Sequence, residues 1–317
     1  MNTASILFYK DLSNLLEVPT LKTISKSLTR KANWRIPVAT HLKRRKHYLL
    51  EFSNSYSGGI HTGYYQVTST KKWTHTAKCM DPLPIMDKGR YTRITGITIC
   101  SAYRAIADGF DSILSEIPKV LPYLDSEFKF YVTCGTEFTK EQATSLAFLI
   151  RDYPIFHLEL PDPLLFDLLL AHQAAHGILQ TLILSRARIS VDPTTEPILN
   201  SLLKQPQFQR LSLDCRNVLS LNVFKSCVEK WLANDNFEFN LSAVVPTARK
   251  QLKEFLKRFD KDSRYQITYY ARRQNLDSRR YILANFMKQT NELIMGSKTR
   301  TQRDTNNRIF NSDHYVF

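Results

Sequence analysis

Residues 178–213 read ILQTLILSRARISVDPTTEPILNSLLKQPQFQRLSL, and this stretch carries one short apolar pattern twice. In each copy an apolar residue is followed by two more at positions i+3 and i+5, and the second copy begins 29 residues after the first. The two copies consist of Leu179, Leu182 and Leu184 and of Phe208, Leu211 and Leu213. A strand followed by a helix, built twice over, would produce this spacing.

The last two positions of the pattern recur in seven segments, separated by 24 to 33 residues. Residues two apart in a strand point to the same side, so each pair faces one core. Helical spacing of apolar residues follows the pairs, and Thr139 with Gln142 has the spacing of a capping box before one such helix. The pairs are Ile97/Ile99, Phe130/Val132, Leu158/Leu160, Leu182/Leu184, Leu211/Leu213, Phe239/Leu241 and Ile267/Tyr269.

Self-similarity at a period of about 20–50 residues indicates a repeat array, and the LxxLxL core at about 20–29 residues indicates leucine-rich repeats. We therefore predict an α/β fold, a leucine-rich-repeat-like strand-helix solenoid with a parallel sheet over residues 91–275. A non-repetitive α/β domain with evenly spaced strands is the alternative. A doubly wound nucleotide-binding fold is disfavoured because the sequence lacks the glycine-rich turn that seats a pyrophosphate.

Composition predicts a folded protein. Of the 317 residues 43% are apolar and 11% aromatic, enough to fill a substantial core. Five cysteines form no CxxC pair, so we expect free thiols in a reducing compartment. The sequence has no signal-peptide pattern and no long apolar run, so we expect an intracellular protein, cytoplasmic or nuclear, without membrane contact.

The net charge of +15 is concentrated at the ends of the chain. Residues 1–50 carry +8 and residues 246–317 carry +9, whereas the intervening residues sum to −2. A basic terminus attracts phosphate, but it is also an ordinary solubilising feature. Nucleic-acid binding is therefore kept only as a lesser alternative.

Outside the repeats, the sequence predicts three further parts. Residues 1–46 have apolar stripes typical of three short helices. Residues 47–90 contain alternating segments around Ser57-Gly58-Gly59, which predict a β-hairpin and a linker capping the repeats. Residues 276–317 are ambiguous between strand and helix at first and then polar and basic, so we expect an end cap and a disordered tail.

The order of apolar residues in the N-terminal stretch resembles a divergent F-box, especially that of the large nematode-type F-box families. The residues that carry the resemblance are Phe8, Leu12, Leu15, Leu16, Leu21, Ile24, Leu28 and Trp34, with Val38 following. The usual Leu-Pro opening is replaced by Ser5-Ile6-Leu7. The resemblance implies that these side chains dock on a Skp-type adaptor, and that the repeats present a target protein to a cullin ubiquitin ligase. A ligase-independent scaffold is the alternative.

Target recognition by such an array is expected at outward strand positions and the loops that follow them, because these positions lie side by side in successive repeats. The candidate residues are Arg186, Arg188, Asp214, Arg216, Tyr270 and Arg272. The asparagine that leucine-rich repeats place near Ala187 and Arg216 is missing, so the turns must satisfy their backbone groups in another way.

Catalytic patterns are absent from the sequence. The best candidate is His172-Gln173-Ala174-Ala175-His176, with two histidines at the i, i+4 spacing that binds zinc in metalloproteases. Gln173 stands where the general-base glutamate belongs, and no third ligand follows at a recognisable distance. We therefore predict a protein without catalytic residues, bound metal or cofactor.

Overall fold

The computed structural model describes residues 16, 18–27, 35–54, 60–67, 91–100, 110–133, 138–161, 163–184, 194–247, 249–257, 260–262, 268–272, 280–287 and 292–299. Tertiary contacts divide the chain into two compact units, residues 1–131 and 132–317. The division falls within the stretch predicted as the repeat domain, 91–275.

Two short helices, α1 (Val18–Ser27) and α2 (Arg35–Arg44), pack on each other at the start of the first unit. Leu21 of α1 and Val38 of α2 are completely buried. These helices occupy the places of the second and third helices predicted from the sequence. The first of the three falls outside the described residues.

The sheet of the first unit has the strand order β2-β1-β3-β4. Its strands are β1 (Lys46–Asn54), β2 (Ile60–Val67), β3 (Thr92–Cys100) and β4 (Leu124–Val132), with α3 (Phe110–Val120) and a 3₁₀ turn (Leu121–Tyr123) before β4. β1 and β2 pair antiparallel, over the stretch where the sequence predicts a hairpin. β1 also pairs parallel to β3, so it extends the sheet as a full strand.

In the second unit, helices and strands alternate in chain order. They are α4 (Lys140–Ile150), β5 (His157–Leu160), α5 (Pro163–His176), β6 (Thr181–Leu184), α6 (Thr195–Lys204), β7 (Arg210–Val218), α7 (Leu221–Ala233), β8 (Glu238–Val244) and α8 (Arg249–Leu256). The capping box at the start of α4 is present, with Thr139 Oγ1 accepting from the Gln142 N–H and Gln142 Oε1 accepting from the Thr139 N–H.

Strands β5 to β8 run parallel and lie in the order of the sequence. The predicted inward pairs form two rows across them, and every member of these rows is at most 2% exposed. The rows are Leu158-Leu182-Leu211-Phe239 and Leu160-Leu184-Leu213-Leu241. Helices α4 to α7 pack on one another in the same order. This part of the chain is therefore a strand-helix repeat, with about 1.5–3 kcal/mol of hydrophobic stabilisation for each buried leucine.

Side chains at the helix ends make hydrogen bonds to backbone groups of the neighbouring repeats. Gln173 of α5 is completely buried, and its Oε1 accepts a hydrogen bond from the Ile155 N–H at 2.8 Å. Gln205 Nε2, after α6, donates to the Ala174 carbonyl at 2.9 Å. Lys230 Nζ of α7 donates in turn to the Gln205 carbonyl at 2.7 Å. Each repeat is thus tied to its predecessor without the asparagine of leucine-rich repeats.

The last predicted repeat is not a parallel neighbour of β8. Tyr269 lies in β10 (Thr268–Arg272), which pairs antiparallel with β9 (Asp260–Asp262) and β11 (Arg280–Met287). The strand beside β8 is instead β12 (Glu292–Thr299), which runs antiparallel to it. The prediction of seven equivalent parallel units was therefore wrong at its C-terminal end, because β12 returns to occupy the edge of β8.

Two strands also lie within residues 276–317, where the sequence predicts an end cap and a disordered tail. Ile282 and Ala284 of β11 and Leu293 and Met295 of β12 are completely buried, and each pair has the two-residue spacing of a strand. Residues 300–317 lie outside the described part of the chain. None of the described helices combines the length and the hydropathy needed to span a lipid bilayer.

Candidate functional site

The side of the second unit's sheet opposite the buried leucine rows is accessible, and we call this side of β5–β8 and β12 the open face. Strand residues alternate between the two sides, so every second residue contributes to it. The structure describes the following residues of this face, all of them at least partly accessible: His157, Glu159, Thr181, Ile183, Arg210, Ser212, Glu238, Asn240, Ser242, Val244, Glu292 and Ile294. The face is polar and carries both signs of charge.

Charged side chains lie in register at one end of this face. Arg210 of β7 is paired with Glu238 of β8, and both are exposed. His157 Nε2 and Glu159 Oε2 approach to 3.7 Å on β5. Opposite charges on adjacent strands offer complementary contacts to a protein partner rather than the uniform positive potential that nucleic acid requires.

A recess of about 190 Å³ opens on this face and is lined by residues of β7, β8 and β12. Gly296, which stands opposite Asn240, lines the recess without contributing a side chain. A Cβ at Gly296 would lie 3.2 Å from Asn240 Oδ1 and 3.3 Å from the Phe239 carbonyl oxygen. The recess is lined by Arg210, Leu211, Ser212, Glu238, Phe239, Asn240, Gly296 and Ser297.

Hydrogen bonds from β12 hold the edge of the recess in place. Ser297 Oγ accepts from the Phe239 N–H at 2.9 Å. Ser242 Oγ donates to Glu292 Oε1 at 2.8 Å. These contacts join residues fifty or more positions apart in sequence, so the recess depends on the C-terminal return of the chain.

The first unit has its own cluster of charged side chains, at the start of its parallel strands. His47 of β1 and Arg93 of β3 are register partners, and His47 Nδ1 lies 3.1 Å from Asp125 Oδ2. Burial tends to raise the pKa of Asp125, but hydrogen bonds from His47 and Ser126 and the charge of His47 outweigh it, so the pKa lies below its ordinary value.

Two arginines in this cluster repel each other. Burial lowers the pKa of Arg45, the charge of Arg93 lowers it further, and Asp125 acts in the opposite direction. Burial likewise lowers the pKa of Arg93, whereas Asp125 raises it. Both guanidinium groups remain charged at any physiological pH.

The residues predicted to dock on an adaptor are described only in part. Leu21 is completely buried, whereas Leu16 and Ile24 are half-buried and keep accessible surface. The remaining candidates, Phe8, Leu12, Leu15, Leu28 and Trp34, lie outside the described residues. Ile36, at the start of α2, is 67% exposed and was not among the predicted contacts.

The predicted target-binding residues do not form one continuous patch. Asp214 and Arg216 lie in β7, but Tyr270 and Arg272 lie in β10, and three strands separate β7 from β10 in the sheet. At about 4.8 Å per strand this separation is about 19 Å. Arg186 and Arg188 lie outside the described residues.

The sequence prediction missed the residues that line the recess. Arg210, Ser212 and Asn240 alternate with the buried positions that the sequence identified correctly, and this alternation is the signal that could have found them. Gly296 could not have been found in this way, because its role depends on the pairing of β12 with β8.

The histidine pair on α5 lies at the surface of the second unit. His172 and His176 are exposed, and His176 Nε2 lies 3.0 Å from the Arg151 carbonyl oxygen. Gln173 stands where the metalloprotease motif has its general-base glutamate. Its side-chain amide makes hydrogen bonds to backbone groups of the loop before β5. Within the described ranges, no group of three or more histidine, cysteine, aspartate or glutamate side chains could hold a metal ion.

Comparison of the chain with protein-family models, with curated proteins and with solved structures gives no significant match.

Proposed function

We propose that this chain is a non-enzymatic substrate-recognition subunit of a Skp-cullin-F-box type ubiquitin ligase, which binds a target protein through the open face. The observation that carries target recognition is the strand-helix repeat, with its leucine rows buried on one side and a polar, mixed-charge surface on the other. The adaptor role is supported by the F-box-like order of apolar residues in the N-terminal stretch.

The size and shape of the open face favour protein recognition. Small-molecule sites are concave pockets of about 300–1,000 Å³ that enclose most of their ligand. The recess at Gly296 is smaller, about 190 Å³, and its rim carries an exposed cation and an exposed anion. One side chain of a protein partner fits such a recess, while Arg210 and Glu238 provide contacts around it.

Accessible apolar surface on the N-terminal helices supports docking of an adaptor. Ile24 and Leu16 keep part of their side chains accessible, and Ile36 is 67% exposed. Leu16 and Ile24 belong to the residues that carry the resemblance, and they would make the contacts that it implies.

A ligase-independent protein-binding scaffold is the second candidate, and the burial of Leu21 favours it. Leu21 belongs to the apolar order that resembles an F-box, yet its side chain is completely buried within the chain. A residue in that position supports the packing of α1 on α2 and offers no surface to a partner.

Co-purification of the intact chain tests the proposal. We expect a Skp-type adaptor and a cullin to be captured, and the capture to be lost when Leu16→Asp and Ile24→Asp are combined. Thr20→Asp combined with Ser25→Asp is the matched control, since it introduces the same two negative charges at exposed positions of the helix that carries Ile24. A stable partner complex without Skp or cullin would support the scaffold instead.

Target binding is tested separately, on the repeats. Charge reversal at Arg210 and Glu238 should release the target and leave adaptor capture unchanged, because the two residues are exposed and lie in the second unit. Loss of the adaptor in this variant would contradict the division of roles between the two units.

A further inference from the structure

Two rows of residues cross the middle of the open face in register. The first row sets Arg210 of β7 beside Glu238 of β8, and both side chains are exposed. The second row crosses the four neighbouring strands β6, β7, β8 and β12 and consists of Ile183, Ser212, Asn240 and Gly296. The first row therefore has opposite charges on the two sides of the boundary between β7 and β8. The second row has a branched apolar side chain at one end and no side chain at the other.

The charges of the first row complement a copy of themselves. A two-fold axis that runs along the strands, between β7 and β8, lays β7 of one molecule over β8 of the other. Arg210 of each molecule then faces Glu238 of its counterpart, so two ion pairs form from one patch of surface. An interface of this kind, in which the same patch serves both molecules, is the commonest one in symmetric dimers. Opposite charges that meet across it favour the pairing.

The same rotation also matches the second row, which played no part in choosing the axis. It lays β6 of one molecule over β12 of the other, so the partly accessible Ile183 faces the recess at Gly296. The recess has a volume of about 190 Å³, which at about 30 Å³ for each water molecule leaves room for an isoleucine side chain. Ser212 faces Asn240, and a hydroxyl and an amide can each donate and accept a hydrogen bond.

We propose that the open face pairs with the open face of a second copy of this chain, across this two-fold axis. Because the axis lies along the strands, the strands of the two sheets run in the same direction, as in aligned sheet packing. The overlap extends over six strands, from β5 to β11 in the order of the sheet. At about 4.8 Å per strand and a mean length of about 20 Å, each copy contributes about 600 Å². The total of about 1,200 Å² is at the lower limit for specific interfaces, so the dimer is weak and reversible.

Self-association goes beyond the proposed function and requires neither an adaptor nor a target. It uses the same face as target binding, so a target and a second copy exclude one another. A dimer in equilibrium with the monomer therefore keeps the recognition surface covered until a target competes for it.

The experiment is sedimentation equilibrium of the purified 317-residue chain alone, over a series of concentrations. We expect a reversible dimer. Arg210→Glu and Glu238→Arg should each raise its dissociation constant at least about tenfold, because like charges then meet on both sides of the axis. An equimolar mixture of the two variants should associate again, since one molecule carries two negative charges and the other two positive charges at these positions. Ile183→Ala should weaken the dimer at least about threefold, because the recess loses its occupant.

Matched controls make the same charge changes on the helices. Lys204→Glu on α6 and Glu229→Arg on α7 alter exposed residues outside the open face, and should change the dissociation constant by less than about twofold. Arg210→Glu combined with Glu238→Arg in one chain exchanges the charges and keeps the patch self-complementary. This double variant should dimerise like the unchanged protein, although the proposed function predicts that it releases the target. The two proposals can therefore fail separately.

Three results would overturn the proposal. The first is a chain that remains monomeric at about 1 mM. The second is a dimer that neither single charge reversal weakens, which would place the interface on another surface. The third is a mixture of the two folded single variants that stays monomeric, because a two-fold pairing of Arg210 with Glu238 requires association to return.

Discussion

Gln173 accepts a hydrogen bond from the backbone N–H of Ile155 at 2.8 Å, eighteen residues earlier in the chain and within the preceding repeat. Its Nε2 donates to the carbonyl oxygens of Tyr153 at 3.1 Å and Arg151 at 3.2 Å. One buried amide therefore satisfies three backbone groups of the loop between α4 and β5.

Replacing Gln173 by leucine should destabilise the protein by about 2–3 kcal/mol, because buried backbone groups lose their partners. The measurement is the free energy of urea unfolding. His172→Leu, at the exposed neighbouring position, should change it by less than about 0.5 kcal/mol. Equal effects of the two changes would contradict the role assigned to the amide.

The second prediction compares a buried and a half-exposed residue on one strand of the repeats, β6. Leu182→Ala should cost about 2–5 kcal/mol of unfolding free energy, since a cavity replaces a completely buried side chain. Ile183→Ala removes a similar volume from the half-exposed open face of the same strand and should cost less than about 1 kcal/mol. A larger loss of unfolding free energy for Ile183→Ala than for Leu182→Ala would mean that Ile183, and not Leu182, faces the core.

A third prediction concerns the recess. Gly296→Ala should cost about 1–2 kcal/mol, because the new methyl group meets the Phe239 carbonyl oxygen at 3.3 Å, and this backbone atom is held in the β8–β12 ladder. Thermal unfolding measures the effect. Under the proposed function, the same change should also weaken target binding, because the methyl group occupies part of the recess.

The control for this change is another glycine. Gly177 has φ of +69° and a Cβ there would meet nothing within 4 Å, so Gly177→Ala should cost about 1 kcal/mol of stability through backbone strain alone. The Gly177→Ala variant should bind the target as tightly as the unchanged protein does. Loss of binding in both variants would show that stability, and not the recess, decides recognition.

The lowered pKa of Asp125 predicts how stability varies with pH. Because the folded pKa lies below that of the unfolded chain, the ion pair with His47 contributes stability above the unfolded pKa of about 3.8. This contribution is lost as the pH falls through the folded pKa. Urea unfolding between pH 6 and pH 2 should therefore show a steeper acid loss for the native protein than for Asp125→Asn. If the unfolding free energies of the two proteins fell in parallel with pH, the result would be evidence against a stabilising His47–Asp125 ion pair.

The sequence was sufficient to identify the inward residues of the repeats. Leu182 and Leu211, on neighbouring strands, were predicted as equivalent positions, and the structure pairs them in register and buries both. Local spacing carries this information, since a strand has a period of two whatever its surroundings. The capping box between Thr139 and Gln142 was predicted for the same reason, because it joins residues three apart.

The candidate site was predicted less well. Asp214 and Arg216, which lie in β7, were predicted to lie side by side with Tyr270 and Arg272 on the assumption that the strand of Tyr270 continues the repeat. In the structure, β12 lies beside β8 and carries Gly296 into the open face. The recess thus combines residues from β7, β8 and the C-terminal return of the chain, and no local pattern relates those three segments.

By itself, the sequence determined which residues of each repeat face the core and that successive strand-helix units share one interior. A single unit cannot bury its own apolar side, so repetition of the pattern requires stacking. Only the tertiary structure decided how the array ends. The edge of β8 offers the same backbone hydrogen-bonding groups to a parallel or an antiparallel strand, and the apolar alternation of β10 and of β12 is compatible with either direction. The observed antiparallel pairing buries Leu293 and Met295 and sets them beside residues at least fifty positions earlier in the chain.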